Sequence, residues 1–211
     1  MQSECVDGKH VTVQVGDLSI DDIELAVKIG EVGWDIETTG LEWQKAAICT
    51  SQLSIGEEKI VVIQTNECRP EHLCRLLSNN QVRKVFHHAT FDLRFMAYKW
   101  EANACNVACT KIASKLLNPN SNDHSLKFLL RDHLGIHIDK NERMSNWLSD
   151  ELTAEQVSYA ARDVMYLIPL LRELEEQLEA KKLLALTRAC FAHIPTRVQL
   201  DIQRYGDVYE Y

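Results

Sequence analysis

Residues 33–41 read GWDIETTGL, with two carboxylates two positions apart. In an extended strand alternate side chains share a face, so Asp35 and Glu37 point one way and Ile36 the other. Like charges held that close repel, and one pKa rises unless a cation lies between them. The pair is therefore either a strand end with two solvated acids or half of a metal site. Two further stretches bear on the choice. In HHATFDLRFM (87–96), Asp92 falls early in an expected helix whose apolar stripe is Phe91, Phe95 and Met96. Taken alone, an acid there also suits the helix macrodipole. In YAARD, Tyr159 and Asp163 lie four apart, on one helical face and one turn from each other. Ala160, Ala161 and Val164 around them point to close packing, and a Tyr–Asp hydrogen bond serving the fold is the alternative to a catalytic pair.

Together the three stretches offer three aspartates and a glutamate on one strand and two helices. That is an all-oxygen set suited to hard divalent cations, Mg²⁺ or Mn²⁺. Two such ions, roughly 3.5–4 Å apart, clamp the attacking and leaving oxygens of an in-line phosphoryl displacement. Tyr159 could orient or deprotonate the attacking water.

The elements that must position these residues are legible in outline. HVTVQVGDL (10–18) reads as a strand leading to a helix over 19–30, with Ser19 as N-cap and Gly30 as its end. VGWDIETT, AAICTSQLSIG (46–56) and EKIVVIQT (58–65) read as a three-stranded meander. Helices are expected near 71–80, 90–99 and 125–136, with short strands at 84–88 and 103–110 and a helix stopped by Pro119. The last third is strongly helical, opened by a Thr153–Gln156 capping box and interrupted near Pro169. This order predicts an α/β fold: a mixed central sheet flanked by helices, with chemistry at strand ends.

The 211 residues are 45% hydrophobic and 26% charged, as expected of a soluble globular chain with no membrane association. The N-terminus shows no secretory pattern. The seven cysteines form no CxxC pair, which fits reduced thiols in the cytoplasm. Cys105 and Cys109 read as buried thiols rather than zinc ligands, and adjacent His87 and His88 make poor co-ligands. A net charge of −8 argues against a broad basic surface for long nucleic acid, though not against a cation-filled pocket for a short or terminal piece.

GWDIETTGL, HHATFDL and YAARDVMYLIPLL, in this order and spacing, resemble the three exonuclease motifs of the tyrosine-containing branch of the DEDD superfamily. The stretch from His124 to Val164 resembles ribonuclease D. The resemblance implies the ribonuclease H-like exonuclease fold as a single 3'-5' exonuclease domain over 1–211, with a catalytic core about 30–180 and a helical tail over 181–211. It implies that Asp35, Glu37, Asp92 and Asp163 hold two divalent cations and that Tyr159 partners the attacking water. Thr38, Thr39, Gly40 and Leu41 would lie against the last nucleotides, with Leu41 either a wedge at a base or ordinary packing. His88, Phe91 and Lys111 are further substrate contacts. Lys111, Lys115, Lys140 and Arg143 are either phosphate ligands or solvated charges, and Arg197 serves a subunit contact or a phosphate.

Cys109-Thr110 and His88 depart from common ribonuclease D usage. CTKIASKL (109–116) and ACFAHIPTRVQLDI (189–202) are instead similar to nanoRNase C, a compact branch without accessory helical domains. That implies release of nucleoside 5'-monophosphates from short single-stranded RNA down to dinucleotides, action on DNA as well, and a homo-oligomer, a ring of eight or a dimer. The other readings are a DNA-trimming or ribonuclease D-like processing exonuclease, and a non-catalytic nucleic-acid-binding scaffold. Retention of all four carboxylates and the tyrosine argues against the scaffold.

Overall fold

Strand β3 (Glu31–Thr38) carries Asp35 and Glu37, and everything else in the fold is arranged around it. It pairs antiparallel with β4 (Ile48–Ile55), which pairs antiparallel with β5 (Lys59–Gln64). This is the expected meander. All eight residues of β4 are buried, so its sequence shows no polar–apolar alternation; helices cover both faces of the sheet centre. The structure is a computed structural model describing residues 2–57, 59–65, 69–138, 145–149 and 151–210.

The remaining strands are β1 (Gln2–Val6), β2 (Lys9–Val15), β6 (Arg83–Phe86) and β7 (Val107–Cys109). The sheet order is β1-β2-β5-β4-β3-β6-β7, with the β2–β5, β3–β6 and β6–β7 pairs parallel. The helices are α1 (Ile20–Ile29), α2 (Glu71–Leu77), α3 (Ala89–Lys99), α4 (Thr110–Leu117), α5 (Leu126–Leu134), α6 (Ala154–Met165), α7 (Leu167–Ala180) and α8 (Leu184–Ile202).

Three expectations change. The first strand begins eight residues before the predicted one: β1 and β2 form a hairpin whose turn, Asp7-Gly8, has φ of 48° and 79°. Such a two-residue turn requires left-handed residues, which Asp-Gly supplies. The helical tail is one helix, α8, running through Pro195 to Ile202, and residues 203–210 are not helical. Cys105 is half-buried rather than buried, while Cys109 is buried as expected. Other elements form where expected but some are shorter: β2 ends at Val15, α2 at Leu77, and the strand expected over 103–110 covers only Val107–Cys109. Ser19 caps α1 through the N–H of Asp22, and Gly30 closes it in the left-handed region. The break near Pro169 falls at Tyr166, between α6 and α7.

Helix α6 lies against the sheet face that carries Asp35 and Glu37, and Gly33 shares that face. A Cβ on Gly33 would lie 2.5 Å from Ser54 Oγ and 2.9 Å from the backbone oxygen of Val164. Glycine is needed there for close approach, since both distances are shorter than atoms tolerate. Ser54 Oγ donates to the Val164 oxygen at 3.0 Å, satisfying a carbonyl near the helix end. The N-terminal hairpin fixes the same helix: Arg162 donates twice to Asp7, at 2.9 and 3.0 Å.

Helix α8 packs on α3, α4 and β7. Asp201 of α8 receives Arg197 Nε at 3.0 Å and lies 3.7 Å from Arg94 of α3. Asp207 lies 3.7 Å from Arg197. Arg197 is thus paired within its own tail. Among the described residues no helix is long and apolar enough to cross a membrane.

Replacing Gly33 by Ala should lower stability by about 1–3 kcal/mol, the usual range for overpacking a core. Urea unfolding monitored by circular dichroism checks this; an unchanged midpoint would show that α6 does not depend on the close approach.

Candidate active site

Asp35 and Glu37 occupy one face of β3, as the alternation requires. The opposing strand supplies the first support for them. Gln52 lies directly across from Asp35 in the β3–β4 register, fully buried, and its Nε2 donates to Asp35 Oδ2 at 2.6 Å. Thr50, across from Glu37, donates from Oγ1 to Gln52 Oε1 at 3.0 Å. The threonine fixes the amide's orientation, and the amide fixes the carboxylate. Beyond Glu37 the register shifts. Such an irregularity bends a strand, and the chain leaves the sheet here. Thr38 Oγ1 donates to the Gly40 oxygen, and Thr39 Oγ1 accepts from the N–H of Ala47. These bonds hold the 38–41 loop, from which Leu41 projects with 77% of its surface exposed. Leu41 is therefore not core packing.

Asp163 reaches the same space from α6. Carboxylate oxygens of Asp35, Glu37 and Asp163 lie within 4.8 Å of one another, a spacing that one cation could bridge. Asp92 completes the group from the first turn of α3. It is buried, and the backbone N–H groups of Asp92 itself and of Ile36, the residue between the two β3 acids, favour its charged form. Burial drives the Asp35 carboxyl well above the usual range, and the charges of Asp92, Asp163 and Glu37 add to this; the Gln52 hydrogen bond opposes it. Burial likewise pushes Asp92 up to about 8, against the two backbone donors and the Arg94 charge, with Asp163 raising it further. Asp35, Glu37 and Asp163 thus converge, and Asp92 lies near enough for its charge to act on Asp35 and Asp163.

Tyr159 sits one turn before Asp163, and its hydroxyl lies near enough for that carboxylate to act on it. Its pKa rises through burial first, then through Asp163, Glu37 and Asp35. The phenol therefore feels three of the four acids. Helix α6 is started by the predicted capping box: Thr153 Oγ1 accepts from the N–H of Gln156 at 3.2 Å, and Gln156 Oε1 accepts from the N–H of Thr153 at 2.9 Å.

The substrate-contact candidates lie at the rim. His88 stands at the N-cap position of α3 and stacks on the half-buried Phe91, centroids 6.2 Å apart. The surrounding protein, then Lys111, Arg94 and Lys115, pushes the imidazole down to about 4. The residue's surface is exposed, so water offsets part of this push, but its direction keeps the ring neutral near pH 7. His87 turns elsewhere, its Nδ1 2.9 Å from Thr110 Oγ1, so the two histidines do not converge. Lys111 is half-buried and Lys115 exposed. Lys140 and Arg143 lie outside the described residues, as does Cys68. Gln52 and Arg94 escaped the sequence reading. Gln52 needed the strand register, and Arg94 needed the packing of α3 against α8.

The chemistry of this donor set fits hard divalent cations. All the converging ligand atoms are carboxylate oxygens, and their mutual repulsion under burial is what a cation relieves. Acids on a central strand, facing a helix that carries Tyr-x-x-x-Asp, define a nuclease-type site on a mixed α/β fold. Residues 13–179 match the sequence model of the 3'-5' exonuclease family, and the chain belongs to that family. NrnC of Brucella melitensis bound to pGG is 31% identical and superposes with a TM-score of 0.89, covering 99% of this chain and 100% of that one. The same protein with bound Mg²⁺ is 32% identical, with a TM-score of 0.87 over 95% of this chain and 98% of that one. Ribonuclease D of Haemophilus influenzae is 26% identical over 179 residues, 84% of this chain and 45% of that protein. The chain spans less than half the length of the first curated ribonuclease D relatives it matches. The sheet and its helices are the ribonuclease H-like exonuclease fold expected from the motifs.

The raised carboxyl pKa values make stability depend on pH. Between the ordinary Asp value of about 3.9 and the raised folded values, the folded state holds more protons than the unfolded one, so stability falls as pH rises. His88, whose pKa is lowered, opposes this only below its unfolded value of about 6.5. In chelator, the melting temperature should therefore fall from about pH 6.5 to 7.5, the span in which the carboxyls dominate. Added Mg²⁺ should flatten that fall. Thermal melts across this range check both, and a flat chelated profile would count against a buried carboxylate cluster.

Proposed function

We propose that the protein is a metal-dependent 3'-5' exonuclease that releases nucleoside 5'-monophosphates from short single-stranded RNA, down to dinucleotides. The observation that carries this reading is the convergence of Asp35, Glu37 and Asp163 within 4.8 Å, with buried Asp92 and Tyr159 near enough to interact with them. Asp35, Glu37, Asp92 and Asp163 would hold two divalent cations, Mg²⁺ or Mn²⁺. When bound, these supply the positive charge that activates a water and offsets charge building on the phosphodiester. Gln52 keeps Asp35 aimed into the site. Tyr159 orients the attacking water from the Asp163 side. The 38–41 loop, with exposed Leu41, receives the terminal base. His88 and Phe91 offer a stacking face that carries no charge, and Lys111, Lys115 and Arg94 offer a small basic flank for phosphate.

Short substrates suit this surface. A net charge of −8 repels long nucleic acid, whereas a basic flank of few residues serves few phosphates. The similar NrnC binds pGG, which supports the same choice here. Attack on a terminal phosphodiester does not require the 2'-hydroxyl, so DNA is a second substrate. The whole chain over 1–211 acts as one exonuclease domain, in the cytoplasm, and works as a homo-oligomer of eight subunits.

A time course with 5'-labelled RNA dinucleotide and heptamer in parallel, with Mg²⁺, Mn²⁺ or chelator, tests the reading. The dinucleotide should be cut at least as fast as the heptamer, and only with metal. A heptamer that is shortened but stalls at two or three residues would replace this reading with general trimming. Asp35→Asn keeps an acceptor for Gln52 and relieves repulsion, so it should abolish cutting while leaving metal-free stability equal or higher. Tyr159→Phe should slow cutting by about 10²–10⁴-fold, the usual contribution of a positioned proton-transfer group.

A further inference from the structure

Trp147 is buried, its ring lies 5.9 Å from that of Tyr159 at an interplanar angle of 49°, and its Nε1 has no hydrogen-bond partner among the described residues. A buried N–H without an acceptor costs about 1–3 kcal/mol, so what the ring offers at this position is its face and not its N–H. The segment that carries it is fastened at both ends. Gln156 Nε2 donates to Ser145 Oγ at 2.8 Å and to the Asn146 oxygen at 3.1 Å. Gln64, the last residue of β5, donates from Nε2 to the Ser149 oxygen at 3.1 Å. Gln156 uses its other end in the α6 capping box. It therefore ties the Trp147 segment to the turn of α6 just before Tyr159. Residues 156, 159 and 163 share one face of α6.

We infer that Trp147 is a positioning residue for Tyr159, its indole face holding the phenol against Asp163. The reason lies in the charges. Tyr159 must keep its hydroxyl on one carboxylate while two others lie close by. Rotation of the Tyr159 side chain about its Cα–Cβ bond would swing the hydroxyl away from the attacking water. The tilted indole closes off that motion. Misplacing a reacting group by about 1 Å costs on the order of 100-fold in rate.

The inference rests on the proposed role of Tyr159, and a double-variant cycle separates the two. Rates on RNA dinucleotide with Mg²⁺ are measured for the parent, Trp147→Ala, Trp147→Phe, Tyr159→Phe and the Trp147→Ala/Tyr159→Phe pair. Trp147→Ala should lower kcat by about 10- to 100-fold with KM nearly unchanged. Trp147→Phe, which keeps the ring face and removes the unpartnered N–H, should recover most of the rate. In the Tyr159→Phe background the alanine change should cost little more, because the group it positions is already gone. An equal loss in both backgrounds would overturn the inference. So would a Trp147→Phe enzyme as slow as the alanine variant, since the N–H would then be the working group. Tyr159→Phe at full rate would instead defeat the Tyr159 reading itself. Should the alanine variant fail to fold by circular dichroism, Trp147→Leu takes its place in the same cycle.

Discussion

The approach of α6 to the sheet at Gly33 is the contact on which the site depends. Three residues of β3 point at this helix in alternation: Gly33, Asp35 and Glu37. The first has no side chain, so the backbone of Val164 can come against the strand, and Asp163 arrives beside the two acids as a consequence. A side chain at position 33 would meet the Val164 backbone and push the helix off, shifting Asp163 relative to the two strand acids. Ser54 from the neighbouring strand then takes up the carbonyl that this closeness would strand.

The treatment of acids differs between the site and the rest of the molecule. Asp22 is met by Lys59, Asp7 by Arg162 and Glu175 by Arg83. Each is neutralised by a base. At the site, Asp35 is met by the Gln52 amide and Asp92 by two backbone N–H groups. Neutral donors orient a carboxylate without cancelling its charge, so the repulsion among the acids is left for protons or a cation to relieve. That stored repulsion is what gives the cluster affinity for small, highly charged cations. Metal affinity and the unfavourable titration of the bare site are two aspects of one arrangement.

Much of this was legible in the sequence because it depends on local periodicity. Asp35 and Glu37 share a face by strand alternation, and Tyr159 and Asp163 by helical spacing; both rules need only nearest neighbours. The caps at Ser19, Gly30 and Thr153 were legible for the same reason. What could not be read depends on contacts between distant segments. Gln52 becomes the partner of Asp35 only through the β3–β4 register. The fully buried β4 has no alternation to display. The pairing of Arg94 with Asp201 likewise needs α8 to lie on α3. Strand β1 was missed although Asp7-Gly8 marks its turn, because Gln-Ser-Glu-Cys-Val is only weakly apolar and gains its place by pairing with β2.

The bridge between Asp7 and Arg162 joins positions 155 residues apart in the chain. Closing a loop of that length costs entropy before the contact returns anything, so such a bridge forms late in folding. The helix it secures also brings the last of the four carboxylates. During synthesis Asp35, Glu37 and Asp92 emerge well ahead of Asp163, and the first hairpin waits for a partner made 155 residues later. The cluster is thus completed only once α6 has emerged: a growing polypeptide that stops short of it carries most of the acids yet lacks the geometry to gather them.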